Sequence, residues 1–191
     1  EFKMIDTKKV ELSYYRDLCK FNCEIATDEI SAVELLDDIC REIDARYSVM
    51  EQRGLRRFPD YGTRMIVVIE ELGDLMLSSG GAVEKYIVRI AQLGRACGVH
   101  LIIATQHPVV KVVTGSIKAN IGCRFALQVT SAIDSRNILG HNGAERLAGK
   151  GDCLLKLPND STEIHLQCPF LTEDDVKTCI QNFLKEMEED E

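Results

Sequence analysis

The stretch MIVVIEELGDLML, residues 65–77, decides the fold of this chain. Its first five residues are all apolar, and a run of this length predicts a buried strand. Two carboxylates, Glu70 and Glu71, follow the strand directly, and Asp74 comes three residues later. Because burying a charge is costly unless something compensates it, the acids at this strand end raise the question of what stabilises them.

Outward from this strand, predicted strands alternate with amphipathic helices. Helices are predicted over residues 31–54, with a possible capping box of Ser31 and Glu34, over 82–97, near 131–139, and after Thr172. The further strands are EFKMID (1–6), VHLIIATQ (99–106), CRFALQV (123–129), DCLLKL (152–157) and EIHLQC (163–168). This alternation predicts an α/β fold with a mostly parallel sheet and helices on both faces.

Bulk composition sets wide limits. With 191 residues, 45% hydrophobic and 28% charged, the chain fits one soluble globular domain. A net charge of −8 argues against a uniformly basic nucleic-acid surface, although a local cationic loop facing DNA stays possible. The longest apolar runs are far below the roughly 20 residues that cross a bilayer, and residues 1–9 lack the sections of a signal peptide. We therefore expect a cytoplasmic segment without membrane contact.

The eight cysteines stand singly inside apolar stretches, which predicts buried free thiols. No CxxC pair and no paired histidines provide a zinc site.

In open α/β sheets, ligands bind at the carboxyl ends of the strands. The polar residues that follow the predicted strands are therefore the first candidates for a site: Asp6, Glu70, Glu71, Thr105 and Gln106. An apolar strand ending in adjacent acids is typical of the Walker B motif of nucleoside triphosphatases. There, one carboxylate holds Mg²⁺ through water, and its neighbour orients or deprotonates the water that attacks the γ-phosphate. The alternative is a strand that simply ends in two solvated acids.

Several longer blocks point to a family. In chain order they are MIDTKKVELSYY (4–15), VVIEELGDLM (67–76), RIAQLGRACGVHLIIATQHP (89–108), VVTGSIKANIGCRFALQVTSAIDSRNILG (112–140) and GAERLAGKGDCLL (143–155). In these blocks and their order the chain resembles the FtsK/SpoIIIE family of double-stranded DNA translocases. The resemblance implies a RecA-like P-loop NTPase three-layer sandwich that uses ATP and Mg²⁺. It also implies assembly into a hexameric ring that pumps duplex DNA.

The resemblance assigns roles to the residues of the strand ends. Glu70 occupies the position of the metal-holding Asp, and Glu71 that of the catalytic Glu. Because Glu is one carbon longer than Asp, either the metal is held through a shifted water or hydrolysis is weakened. Gln106, with its neighbour Thr105, matches the polar sensor beside the γ-phosphate, although a strand-end amide could also simply satisfy loop backbone groups.

Two arginines are candidates for catalysis across a subunit boundary, and two lysines are candidates for contact with DNA. Arg95 and Arg124 could each supply the arginine that crosses a subunit boundary and neutralises transition-state charge, or could pair with surface acids. The segment HPVVKVVTGSIKAN (107–120) carries Lys111 and Lys118 and no acid, which suits contact with DNA phosphates. Two loop lysines are also ordinary surface charges.

A phosphate-binding loop of the form GxxxxGK[ST] is absent from the sequence. The segment GAERLAGKG (143–151) has the wrong spacing, lacks Ser or Thr after Lys150, and precedes a strand where a true loop follows one. In the resembling family this loop lies before the MID strand. We therefore expect residues 1–191 to be a single RecA-like domain representing the C-terminal part of the motor, after Walker A.

A sheet that lacks the phosphate-loop strand should differ from the complete sheet of the family. The strand that carries the phosphate loop normally lies in the middle of the sheet, so its two neighbours should show unpaired edges. The loop RFPDYGT (57–63) is also shorter than the family usually has there, which marks a second place where residues are left out. Family members often carry a membrane anchor far upstream.

Two other functions stay open. One is a non-catalytic fragment or degenerate module within a ring, favoured by Glu70 and the missing phosphate loop. The other is a conjugation or secretion coupling ATPase of the same superfamily.

Overall fold

A computed structural model of the chain describes residues 1–20, 22–59, 62–79, 81–158 and 162–189. These residues form two compact units. The first comprises Glu1–Gln106 with the C-terminal segment from Asp174, and the second comprises His107–Glu173. The single domain expected from the sequence stays a prediction.

The first unit contains a four-stranded parallel sheet in the order β2-β1-β3-β4. The strands are β1 (Phe2–Ile5), β2 (Cys23–Ala26), β3 (Met65–Ile69) and β4 (Val99–Ile103). Ile5 of β1 and Ile103 of β4 both lie beside Ile69 of β3, so three strands end in line. This alignment places the residues that follow them, Asp6, Glu70 and Ala104, at one edge of the sheet.

Two long helices pack against each other beside this sheet, α1 (Glu29–Gln52) and α3 (Ala82–Leu93). The buried side chains of α1 recur at steps of three and four, as the sequence predicted, and include Leu36, Ile39 and Ile43. The predicted capping box of Ser31 and Glu34 was wrong. Asp28 caps the helix, accepting from the Ser31 N–H at 2.9 Å, while the Ser31 hydroxyl receives the Asp28 N–H.

A short 3₁₀ helix, Gly94–Cys97, joins α3 to β4 and ends at Gly98, as predicted. Gly98 has a φ of +78°, which is the left-handed region that favours glycine. A Cβ placed there would lie 2.5 Å from the Phe58 ring. Phe58 is held over this segment by its N–H, which donates to the Ala96 carbonyl at 2.9 Å.

We expect Gly98→Ala to lower the free energy of unfolding by about 2–3 kcal/mol, because backbone strain adds to the overlap with Phe58. Gly81→Ala is the matched control. Gly81 also has a positive φ, +91°, but nothing lies within 4 Å of a Cβ built there. Urea denaturation of both variants separates the two effects, and equal losses would show that Phe58 moves aside without cost.

The first unit also contains elements that the sequence did not predict. They are β2, a 3₁₀ helix over Glu11–Lys20, and the short helix α2 (Leu72–Ser78) that begins right after the paired acids. Helix α6 (Glu173–Glu189) starts where predicted, immediately after Thr172. No helix within the described ranges combines the length and apolarity needed to cross a bilayer.

The second unit contains a three-stranded sheet, β5 (Arg124–Leu127), β6 (Asp152–Lys156) and β7 (Glu163–Gln167), with the short helices α4 (Gly115–Asn120) and α5 (Ala132–Leu139). All its pairs are antiparallel, so the mostly parallel expectation holds for the first sheet only. Its small core is Ala126, Leu139, Ala144 and Leu147. GAERLAGKG forms a 3₁₀ helix, Ala144–Arg146, and a turn before β6, as its rejection as a phosphate loop predicted.

Strand β4 is an end strand of the first sheet, and β5 is an end strand of the second. Among the described residues, β4 pairs only with β3, and β5 pairs only with β6. Each therefore has one unpaired edge in the described part of the chain, as do the other end strands, β2 and β7, so the absent phosphate-loop strand stays a prediction. The loop RFPDYGT, whose shortening stays a prediction, includes Asp60 and Tyr61, which lie outside the described residues.

Candidate active site at the carboxyl edge of the parallel sheet

The carboxyl edge is assembled by backbone hydrogen bonds that continue beyond the strands. The Glu70 N–H donates to the Ile5 carbonyl at 3.1 Å, and the Ala104 N–H donates to the Ile69 carbonyl at 2.8 Å. The Leu72 N–H then donates back to the Ala104 carbonyl at 2.9 Å. The residues after β1, β3 and β4 are thus held beside one another by the chain itself.

The Glu71 carboxylate is the centre of this edge. It is only 3% exposed and forms the N-terminal cap of α2, accepting from the Gly73 N–H at 2.8 Å through Oε1. The same oxygen accepts from the Thr105 hydroxyl at 2.6 Å, and Oε2 accepts from the Gln106 N–H at 2.8 Å. The structure therefore brings together Glu71, Thr105 and Gln106, which the sequence had suggested separately.

These contacts determine the charge state of Glu71. Burial is the largest single influence and raises its pKa. The hydrogen bonds from Thr105, Gln106 and Gly73 together outweigh burial, and the charge of Lys8 acts in the same direction, so the pKa lies below its ordinary value. Glu71 is a buried, ionised acceptor at neutral pH.

The neighbouring Glu70 has the opposite electrostatics. Burial and the charge of Asp6 raise the pKa of its carboxyl; Lys8 lowers it, and Glu71 raises it further. The half-buried side chain has one oxygen, Oε2, that is buried without a hydrogen-bond partner among the described residues. Two adjacent acids thus differ because one is surrounded by donors and the other is not.

Lys8 and Asp6 complete the surroundings of the two acids, and no role was predicted for Lys8. Asp6 is buried and accepts from the N–H groups of Lys9 at 2.9 Å and Leu12 at 3.0 Å, which holds the loop after β1. The Lys8 ammonium lies 3.5 Å from Asp74. A lysine two residues after a strand-end acid is the signal that could have identified it.

The remaining first-unit candidates lie at both ends of β4. Gln106 is exposed, and its backbone N–H contacts the Glu71 carboxylate. Arg95 is exposed in the 3₁₀ helix that precedes β4, at the opposite edge of the sheet. Because five residues of strand span about 16 Å, Arg95 is out of reach of Glu71 of its own chain.

Arg124 belongs to the second unit and is engaged inside it. Its guanidinium donates to the carbonyls of Ile121 at 3.0 Å and Ile138 at 3.1 Å, and also to that of Lys118. Burial lowers the pKa of this arginine. These three bonds join the end of α4 to the end of α5, so a role as a trans-acting arginine requires them to break.

We expect Arg124→Met to lower the free energy of unfolding by about 1–3 kcal/mol, because it leaves carbonyl groups without their donor. Arg136→Met is the control, since Arg136 is exposed in the same unit and binds the Asn142 side chain. Urea denaturation compares the two. An equal, small loss in both variants would contradict the structural role given to Arg124.

The two lysines proposed for DNA also lie in the second unit. Lys111 is exposed before α4, and Lys118 is half-buried within α4. The Thr114 hydroxyl caps this helix, accepting from the Ile117 N–H at 3.3 Å. Their contact with DNA stays a prediction.

The carboxylates at the carboxyl edge of the sheet are the candidate ligands for the magnesium ion that the fold implies. Among the described residues, no three His, Cys, Asp or Glu side chains converge as a complete metal site. Mg²⁺ characteristically takes one or two carboxylates and completes its shell with phosphate oxygens and water. The buried Glu70 oxygen without a partner fits that arrangement.

The fold and the site define a class, that of the P-loop ATPase motor domains. The structure of the pCW3 conjugation coupling protein TcpA, determined with ATPγS, matches 95% of this chain and 56% of that one, with a TM-score of 0.82 and 26% identity. The structure of EssC (ATPases 2 and 3) from Geobacillus thermodenitrificans superposes with a TM-score of 0.77, and the match covers 99% of this chain and 37% of the EssC chain. At 12% identity, this second likeness shows the fold alone.

The sequence matches are closer. The profile of the FtsK/SpoIIIE family matches residues 1–65 and 62–110, and the chain belongs to this family. The DNA translocase FtsK of Streptococcus pyogenes serotype M3 is 37% identical over 206 residues, covering 99% of this chain and 26% of that protein. The one of Caldanaerobacter subterraneus is 42% identical, covering 96% and 27%. This chain thus spans about a quarter of the length of these relatives.

Proposed function

We propose that this chain is the catalytic core of an ATP-driven translocase of double-stranded DNA. The observation that carries the proposal is the buried, ionised Glu71, held by Thr105 and Gln106 at the carboxyl edge beside the partnerless oxygen of Glu70. A buried carboxylate flanked by strand-end polar groups is the arrangement that hydrolysis of a γ-phosphate requires.

The geometry supports orientation of water as the role of Glu71. A carboxylate with a lowered pKa is a weak base, but its charge still aligns and polarises a water molecule. Three protein donors contact the carboxylate, two at Oε1 and one at Oε2. Because each carboxylate oxygen has two lone pairs, Oε2 keeps one acceptor site for the attacking water.

The other residues take complementary roles. Glu70 would hold Mg²⁺ through water, and the metal, when bound, supplies positive charge at the β- and γ-phosphates. The exposed Gln106 amide would contact the γ-phosphate. Arg95 lies away from its own site and is exposed, which suits an arginine that acts on a neighbouring subunit of a ring. The hexameric form of this ring is proposed from the family alone.

The phosphate loop would come from a segment outside this sequence. Among the described residues, the first sheet has a free edge at β4, which can accept one more strand. Lys111 and Lys118 would contact DNA phosphates without reading bases, as a motor that travels over any sequence requires.

A coupling ATPase that moves DNA or protein in conjugation or secretion is the second candidate. The likeness to the TcpA structure favours it. The non-catalytic alternative rests on Glu70, which stands where the family has Asp.

A chimera tests these functions. This chain would replace the matching segment of the Streptococcus pyogenes translocase, with ring assembly checked by gel filtration. We expect ATP hydrolysis that long duplex DNA stimulates severalfold and peptides do not. Stimulation by peptide alone would favour a secretion ATPase, and an assembled, ATP-binding chimera that does not hydrolyse would favour the non-catalytic module.

A further inference from the structure

Two cysteine thiols of the second unit lie close together on β6 and just after β7. Cys153 Sγ is 3.5 Å from Cys168 Sγ. Cys153 is fully buried, whereas Cys168 is half-buried. The expectation that all eight cysteines are buried was wrong, since five of them are exposed or half-buried, and Cys168 is one of those that a solute can reach.

The backbone fixes this proximity. Cys153 pairs with Leu166 in the antiparallel register, and the Cys168 N–H donates to the Gly151 carbonyl at 2.8 Å, continuing the pairing by one step. Cys153 and Cys168 are therefore diagonal neighbours on one face of a hydrogen-bonded strand pair. Gly151 lets the strands approach, because a Cβ there would lie 2.5 Å from the Cys168 carbonyl oxygen.

We infer that Cys153 and Cys168 form a reversible disulfide when the protein meets a hydroperoxide. A disulfide has an S–S length of about 2.05 Å, so the sulfurs must approach by about 1.5 Å. Diagonal neighbours on a strand pair have Cα atoms about 7–8 Å apart, so closing the bond takes rotation about both Cα–Cβ bonds and a small shift of the backbone. Cys168 lies just after the last residue of β7, where such a shift disturbs little of the strand pairing.

The reaction takes place in two balanced steps. The more accessible Cys168 thiolate attacks one oxygen of the peroxide, the O–O bond breaks, and Cys168 becomes a sulfenic acid while hydroxide leaves as water. The Cys153 sulfur then attacks the Cys168 sulfur, the S–O bond breaks, and the Cys153 proton leaves with the hydroxyl as a second water. The two thiols lose two electrons, which the peroxide gains.

The order of the steps agrees with the surroundings. Burial, together with the neighbouring Cys168, raises the pKa of the Cys153 thiol, so Cys153 stays protonated and shielded until its partner has been oxidised. Cys168 is then the peroxide-reactive thiol, and Cys153 is the resolving thiol.

A second thiol pair serves as an internal comparison. Cys19 Sγ lies 3.8 Å from Cys23 Sγ, but this pair joins a 3₁₀ helix to a strand and not two hydrogen-bonded strands. Burial and the neighbouring Cys19 raise the pKa of Cys23 to about 12. We expect this pair to be oxidised later than Cys153 and Cys168.

The test treats the 191-residue chain with hydrogen peroxide under native conditions, blocks the remaining thiols, and maps the digested peptides by mass spectrometry without reduction. We expect a Cys153–Cys168 linked peptide pair, a mass lower by about 2 Da, and full reversal by dithiothreitol. Cys123→Ser, which removes an exposed cysteine, should leave the link unchanged.

Variants keep the test decisive even if the buried position does not tolerate change. Cys153→Ser should convert Cys168 to sulfenic and then sulfinic acid without a link, and Cys168→Ser, at the half-buried position, should leave Cys153 as a thiol. A Cys19–Cys23 link without a Cys153–Cys168 link would overturn the inference, as would Cys168 sulfinic acid in the unsubstituted chain without any link. None of these outcomes depends on ATP hydrolysis.

Discussion

Glu71→Gln is expected to lower the free energy of unfolding by about 2–3 kcal/mol at pH 7. The amide keeps the shape of the side chain, but it removes the charge that three donors share, and its NH₂ group faces the Gln106 N–H or the Thr105 hydroxyl. One buried donor is then left without an acceptor, which costs more than the net value of an ordinary hydrogen bond. Urea denaturation followed by circular dichroism measures the difference.

Glu70→Gln is the matched control, one residue away. Burial and the charge of Asp6 disfavour the ionised Glu70, so removing its charge should leave the free energy of unfolding at pH 7 unchanged or raise it. A loss as large as that of Glu71→Gln would contradict the different surroundings of the two acids.

Glu71 and Glu70 should contribute to the pH dependence of the free energy of unfolding with opposite signs. Each variant should therefore lose the contribution of the residue that it replaces. The pKa of Glu71 is lowered by folding, so its stabilisation is present above the unfolded value of about 4.3 and is lost as the pH falls through the folded pKa. The pKa of Glu70 is raised, so stability linked to its proton is present below about 4.3 and is lost as the pH rises through the folded pKa.

Ile69→Ala is expected to lower the free energy of unfolding by about 2–5 kcal/mol. Ile69 is the last residue of β3 and is fully buried, so truncation leaves a cavity directly below the paired acids. Its carbonyl also receives the Ala104 N–H, which links the end of β3 to the segment carrying Thr105. The variant should therefore also weaken protection of the Gln106 amide against hydrogen exchange.

Ile102→Ala provides the comparison on the neighbouring strand. Ile102 of β4 lies beside Val68 of β3 but is 55% exposed, so its truncation should cost less than about 1 kcal/mol. Equal losses of unfolding free energy in Ile69→Ala and Ile102→Ala would contradict the difference in burial between the two side chains.

Much of the fold could be predicted because its signals are local. The apolar run before Glu70, the spacing of buried residues in α1 and the glycine at position 98 each specify their own element. Short elements such as β2 and α2 were missed because four to seven residues carry too little periodicity.

The site was predictable by residue type but not by contact. The sequence identified Glu71, Thr105 and Gln106 as strand-end groups. The hydrogen bonds that Thr105 and Gln106 donate to Glu71 join residues 34 and 35 positions apart in sequence, so they depend on the register of β3 and β4. Arg124 shows the converse. The sequence offered Arg124 as an arginine that crosses a subunit boundary or pairs with surface acids, whereas in the structure its guanidinium donates to three carbonyls.

The central claim is that the Glu71 carboxylate acts on the water that cleaves ATP. The most direct measurement is the single-turnover rate of ATP hydrolysis by the chimera with the Streptococcus pyogenes translocase, in the presence of duplex DNA, with and without Glu71→Gln. The account predicts that hydrolysis falls by a factor on the order of 10² to 10⁴ while ATP binding and ring assembly are retained. Hydrolysis by the Glu71→Gln chimera at the rate of the unsubstituted one would contradict it.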